Sequence, residues 1–244
     1  MGNPYRLLTP SNPKIGKSVK FGYLTAVLHL APADLSGYEV CPMRTAGCTA
    51  ACLNTAGRGG LAKGGRLSFA DVAKGTRSNA VQAARVRRTK LYFEARAEFM
   101  SALIADIEKV IRTAAKLGLK PAIRLNGTSD IPWERVRFGS HANVMELFPQ
   151  VMFYDYTKRP NRKDLPANYK LCFSLAENND AEALVALANG LNVAAVFHAV
   201  PDTFKGFAVI NGDEHDLRFL DPAGVIVGLK AKGNAKGDTS GFVR

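Results

Sequence analysis

Three cysteines within twelve positions, Cys41-Pro-Met-Arg-Thr-Ala-Gly-Cys48-Thr-Ala-Ala-Cys52, are the residues of this chain best suited to chemistry. Thiolates are soft ligands, and three of them with no histidine close by in sequence point to an iron–sulfur cluster or to zinc. Six intervening residues and then three make a loop in which three sulfurs can converge, and the i to i+4 step from Cys48 to Cys52 predicts two sulfurs on one helical face. A structural zinc site takes four protein ligands, commonly as two close cysteine pairs, and the second pair is missing here. Three ligands leave one position open, so the favoured reading is a 4Fe–4S cluster with an iron free to bind a cofactor or substrate. Zinc completed by Cys172 or a histidine is the alternative, and a metal-free loop is the plainest reading. Cys172 lies inside the apolar run 170–176, where it reads as a small core residue rather than a fourth ligand.

The other candidates stand where apolar runs end. Asn126 and Asp130 bracket Gly127, Thr128 and Ser129 just before Pro132 and the single tryptophan, Trp133. They read either as a binding loop or as ordinary turn chemistry. Asp155, Thr157 and Lys158 close the run 151–157, mixing an acid and a base that either contact substrate or pair at the rim. His198 ends the run 193–199 and is the histidine expected to face a site, whereas His29 reads as a core residue and His215 as part of an acidic, solvated turn. A third reading uses Asp130, Glu134 and Asp155 to hold magnesium for a nuclease.

The chain carries a formal charge of +12, which makes a nucleotide or nucleic acid the expected partner. Lys63, Arg66, Arg77, Arg85, Arg87 and Arg88 follow the cysteines with few acids between them, and they read as phosphate contacts or as a solvated helix face. No nucleic-acid-binding motif accompanies them. No stretch approaches the roughly 20 apolar residues of a membrane span, and the first residues lack the apolar core of a secretory signal. The expected location is the cytoplasm, where clustered thiols stay reduced and bind metal more often than they form disulfides.

These residues need a frame. Residues 1–19 read as an extended arm and 20–244 as one α/β domain, whose first strand starts near Lys20 and ends before Pro32, just ahead of the cysteine loop. Five glycines, Gly57, Gly59, Gly60, Gly64 and Gly65, then mark a loop able to approach a ligand closely. A helical pattern follows from about 69 to 117, broken near Arg88 to Lys90, with Phe99, Leu103, Ile107, Val110 and Ile111 forming one buried stripe and Gly118 the stop. Beyond it, six short apolar runs and a helix over the segment from Asp180 to Gly190 predict a mostly parallel sheet. A βα barrel or partial barrel is the expected architecture, with a doubly wound open sheet as the competitor. In either case the loops at the C-terminal ends of the strands form the functional face.

The segments Cys41–Gly60, Arg124–Glu134, Phe153–Arg159, Leu171–Asn179 and Asp216–Gly233 resemble the phage and prophage family called the gene product 88 domain, across nearly the whole chain. The cysteine loop after the first strand also resembles that of radical S-adenosylmethionine enzymes, whose usual spacing is three residues and then two. That second likeness implies S-adenosylmethionine as cofactor, with Asn126 to Asp130 near its methionine amino group and Asp155 and Thr157 near its ribose.

Overall fold

The computed structural model describes residues 6–9, 13–160 and 162–244. In chain order its elements are β1 (Leu8–Thr9), α1 (Pro13–Ser18), β2 (Tyr23–Leu28), α2 (Ala46–Ala50), β3 (Leu61–Ala62), β4 (Gly65–Arg66), α3 (Phe69–Ala73), α4 (Ala80–Glu94), α5 (Arg96–Lys116), β5 (Lys120–Arg124), α6 (Val144–Leu147), β6 (Met152–Thr157), β7 (Tyr169–Ser174), α7 (Asp180–Ala188), β8 (Val193–Phe197), β9 (Thr203–Phe204), β10 (Phe207–Asn211) and β11 (Ile226–Lys230). β3 and β4 form a small hairpin, and the other strands form one nine-stranded sheet in the order β1-β2-β5-β6-β7-β8-β11-β10-β9. Seven central strands run parallel, and only the short edge strands β1 and β9 pair antiparallel.

The sheet is open. β1 and β9 stand at its two ends and do not pair with each other, so the expected closed barrel does not form. Closure needs the two outermost strands to meet in register, and here two-residue antiparallel strands cap the ends instead. The doubly wound order is also absent: from β2 to β8 each new strand is added on the same side.

Side-chain alternation along the strands separates two faces. Ala26 and Leu28 of β2, Ile123 of β5 and Phe153 of β6 pack with Phe99, Leu103, Ile107 and Val110 of α5 in the largest core cluster. Phe173, Val193, Ala195 and Phe197 do the same against Ala183 and Leu187 of α7. Each of the larger side chains, Val, Leu, Ile or Phe, contributes about 1.5–3 kcal/mol of burial, and together they hold α5 and α7 on one side. The opposite parity, including Thr25, Val27, Arg124, Tyr154, Tyr156, Ala194 and Val196, is left to line a cavity.

Two local features differ from the sequence expectation. The helical break falls at Ala95, with φ −139° and ψ 62°, and not near Arg88 to Lys90, which lie within α4. The reversal there lets Tyr92 and Phe99 both reach Trp133, with ring centroids at 5.4 and 6.3 Å, while the Arg96 guanidinium covers Tyr92 at 3.5 Å. The described part of the arm joins the fold, because the backbone amides of Leu7 and Leu8 donate to Asp106 of α5 at 2.7 and 2.9 Å. Among the described residues no helix is long and apolar enough to cross a membrane.

Candidate functional site

The cavity of about 530 Å³ lies over the inner face of the sheet and the C-terminal ends of its strands, and Cys41, Cys48 and Cys52 all line it. Each reaches it from a different local structure. Cys41 leaves the loop after β2 with its sulfur accepting from the Ala33 amide at 3.5 Å and facing the Thr128 carbonyl at 3.8 Å. Cys48 sits in α2, whose first turn is capped by the Thr45 hydroxyl accepting from the Cys48 amide at 3.1 Å. Cys52 lies beyond the end of α2, in extended backbone that starts the next turn, so the helical face expected for Cys48 and Cys52 is not formed. Thr49 and Ala50 close the helix and Ala51 turns out of it, where a continuous helix through Cys52 was expected.

Burial is the dominant force on the thiols. It pushes Cys41 up to about 12 and Cys52 up to about 11, so both are protonated at neutral pH, and a metal must displace those protons to bind. Among the described residues no three Cys, His, Asp or Glu side chains stand together closely enough to hold a metal ion. All three thiols line the cavity and no carboxylate lies between them in the cysteine loop, so the donor types are soft, although the sulfurs are not gathered into a preformed metal site.

The cysteine loop is tied down from two sides. The Glu177 carboxylate, just past β7, accepts from the Gly47 amide and the Thr45 hydroxyl, both at 2.7 Å. On the far side, α4 presents a polar buried stripe to the segment following Cys52. Gln82 donates to the carbonyls of Asn54 and Gly59 at 2.9 and 2.7 Å, and Arg85 donates to the Asn54 carbonyl at 2.8 Å. The glycine loop is closely packed rather than open: a Cβ at Gly60 would overlap the Thr55 carbonyl, and one at Gly59 would meet Asn54 and Arg85. Gly59 and Gly60 thus serve contact with the protein itself, whereas Gly57, at φ +52°, has open space beside it and lines the cavity.

The remaining predicted residues divide between the cavity and the frame beneath it. Asn126, Asp130, Thr157 and Lys158 line the cavity, but Asn126 is engaged within its own loop and Asp130 and Thr157 with each other. The Asn126 side-chain oxygen accepts from the Ser129 hydroxyl, the Ile131 amide and the Trp133 indole at 2.8, 2.9 and 3.2 Å. Asp130 accepts from the Thr157 hydroxyl at 2.8 Å and the Lys158 amide at 2.9 Å, clasping the β5 loop to the end of β6. Asp155 does not line the cavity. It is fully buried on the other face, accepting from the Asn126 amide at 2.7 Å and the Tyr169 hydroxyl at 2.8 Å. Burial raises its carboxyl to about 7 against those hydrogen bonds. Trp133 is likewise buried in the core.

His198 is exposed after β8 and does not line the cavity, whereas His29 does. Burial, then the charges of Arg85, Arg124 and Arg88, hold His29 neutral with a pKa of about 3. Cys172 is buried against Ala194 and Val227, away from the cavity lining. Glu134 is occupied by an ion pair with Arg162, so it, Asp130 and Asp155 do not assemble as a carboxylate cluster.

The basic residues do not form one stripe. Lys63 and Arg66 belong to the β3–β4 hairpin region, and Arg77 spans it by donating to the carbonyls of Lys63 and Gly65 at 3.2 and 2.9 Å. Arg87 is exposed, Arg88 donates to the backbone of Arg6 and His29, and Arg85 is buried in the cavity wall.

A missed part of the site comes from the end of the chain. The Arg244 amide donates to the Val196 carbonyl at 2.8 Å and the His198 amide donates to the Arg244 carbonyl at 2.9 Å, so this segment lies along the end of β8. Phe242 thereby lines the cavity. Its only sequence signal was an apolar pair, Phe242 and Val243, after a polar, glycine-bearing stretch.

An open, mostly parallel α/β sheet with the helices α5 and α7 packed on one face and a cysteine-lined cavity on the other defines the class of this protein. The sequence profile of the gene product 88 family matches residues 6–244, and the chain belongs to that phage protein family. No curated protein and no solved structure matches it.

Proposed function

We propose that this chain is a phage-associated iron–sulfur enzyme of radical S-adenosylmethionine type, in which Cys41, Cys48 and Cys52 hold a 4Fe–4S cluster. One observation carries the reading: all three cysteines of the loop after β2 line a single cavity at the C-terminal ends of the parallel strands. The one-directional strand order from β2 to β8 supports it as well, since that is the order a partial βα barrel would have. A cluster bound there supplies an electron and an open iron position. The protein's own part is to release the buried thiol protons, to supply an apolar wall through Phe242, and to hold the β5 loop through Asn126 and Asp130. A cavity of about 530 Å³ suits S-adenosylmethionine or a nucleotide. The dispersed basic residues favour such a small partner over a nucleic-acid strand.

A second reading, zinc, is favoured by His29, because a neutral imidazole lining the cavity is the form that ligates metal. Anaerobic purification with iron, sulfide and zinc analysis separates the two. The expected result is stoichiometric iron and sulfide with absorbance near roughly 400 nm, lost on substituting any one of Cys41, Cys48 or Cys52 by serine. Cys172→Ala is expected to keep the full metal content and to cost only about 1 kcal/mol of stability. Stoichiometric zinc without that absorbance defeats the cluster.

A further inference from the structure

Six basic side chains line the cavity: Arg44, Arg85, Arg124, Lys158, Lys230 and Lys232. Three of them have carboxylate partners. Arg44 pairs with Glu39 at 2.9 Å and Asp34 at 3.3 Å, Arg124 pairs with Asp216 at 3.2 Å, and Lys232 pairs with Asp213. Lys230 is exposed to solvent, which screens its charge.

Arg85 and Lys158 remain. Arg85 is 8% exposed, and among the described residues it has no carboxylate partner. Its Nη1 is spent on Asn54, and its Nε is buried without an acceptor. Lys158 is half-buried, donates to the Ser174 hydroxyl at 2.9 Å and lies 5.5 Å from the centre of the Phe242 ring, also with no carboxylate partner among the described residues. Both charges reach Cys52. Burying a guanidinium without a counter-ion is a cost that folds seldom carry unless a ligand offsets it.

We propose that Arg85 and Lys158 form an anion-binding pair in the cavity wall beside Cys52, taking a carboxylate or phosphate group of the small molecule that the cavity binds. Of the guanidinium, Nη2 is left to donate to an anion while the delocalised charge lies behind it, and the ammonium adds a point charge with donors to spare. The wall beyond them is apolar at Val27, Ala51, Ala194, Val196 and Leu229. The fitting ligand therefore carries an anionic head and an apolar or aromatic body. Arg85 thus leaves the surface set of phosphate contacts and becomes a residue of the cavity. This inference rests on the reading of the cavity as a small-molecule site, and because neither residue is a metal ligand its test needs no metal.

The test follows thermal unfolding while inorganic pyrophosphate, as the phosphate probe, or citrate, as the carboxylate probe, is titrated at constant ionic strength set with sodium chloride. The unfolding midpoint of the parent protein is expected to rise saturably with at least one probe, and the probe that acts names the head group. Arg85→Gln and Lys158→Gln are each expected to raise the half-saturating concentration at least tenfold, while Lys74→Gln, on a separate surface, leaves it unchanged. If Arg85→Gln does not fold, Lys158→Gln decides alone. No saturable rise with either probe, or equal saturation in the parent and in Lys158→Gln, overturns the proposal.

Discussion

Replacing Asp155 by alanine is expected to cost about 3 kcal/mol or more near pH 5, and replacing it by asparagine is expected to change the pH dependence of stability instead. Alanine strands buried donors: the Asn126 amide and the Tyr169 hydroxyl lose their acceptor, and each orphaned group costs about 1–3 kcal/mol. Asparagine keeps the shape and one acceptor but cannot ionise. Asp155 has its folded pKa raised from 3.8 to about 7, burial being the main cause. A raised folded pKa means that its contribution is fully present below about pH 4 and is lost as pH rises through about 7. The parent should therefore lose on the order of 2–4 kcal/mol relative to Asp155→Asn across that window. His29 acts in the opposite sense, gaining stability as pH rises from about 3 to 6.5, but it is present in both proteins and cancels from the difference. Denaturant melts of the two proteins between pH 5 and pH 8.5 measure this directly. A difference that stays constant with pH would show that Asp155 is ionised throughout.

The sheet was largely legible because near-continuous apolar runs such as 151–157 and 193–199 can be buried only by strands covered on both faces. Its closure was not, since whether β1 meets β9 depends on register and edge pairing that no local pattern encodes. The break at Ala95 was hidden because neither glycine nor proline marks it and the aromatic contacts that set it join residues 92, 99 and 133. Arg85 was misplaced for a related reason. The buried stripe of α4 is Gln82, Arg85, Thr89 and Tyr92, a mostly polar face that hydrophobic periodicity cannot detect, stabilised by the Asn54 and Gly59 carbonyls and the Ala31 amide. Asp155 could have been placed better, since parity with Phe153 already puts it on the helix-covered face.

The cysteine loop itself was legible in composition but not in support, and Gly47 shows why. A Cβ there would overlap the Ser240 hydroxyl and lie 2.9 Å from both the Glu177 carboxylate and the Phe242 Cβ. Each of these neighbours is engaged elsewhere, so moving it breaks a contact. Ser240 donates to Asp238 at 2.7 Å, Glu177 holds the loop through Thr45, and Phe242 belongs to the segment laid along β8. Gly47→Ala is therefore expected to cost about 1–3 kcal/mol through overpacking and to displace the turn bearing Cys48. Gly75→Ala, where φ is +65° and no atom lies within 4 Å, is the matched control, losing about 1 kcal/mol from backbone strain alone. Melting curves compare the stabilities, and the rate at which a soluble disulfide reagent modifies Cys48 reports the turn. Faster modification in Gly47→Ala, with the parent rate in Gly75→Ala, is the expected pattern. Parent-like modification in both would mean that residues 240–242 yield to the added methyl, and the cysteine loop would then owe its position to Glu177 and α4 alone.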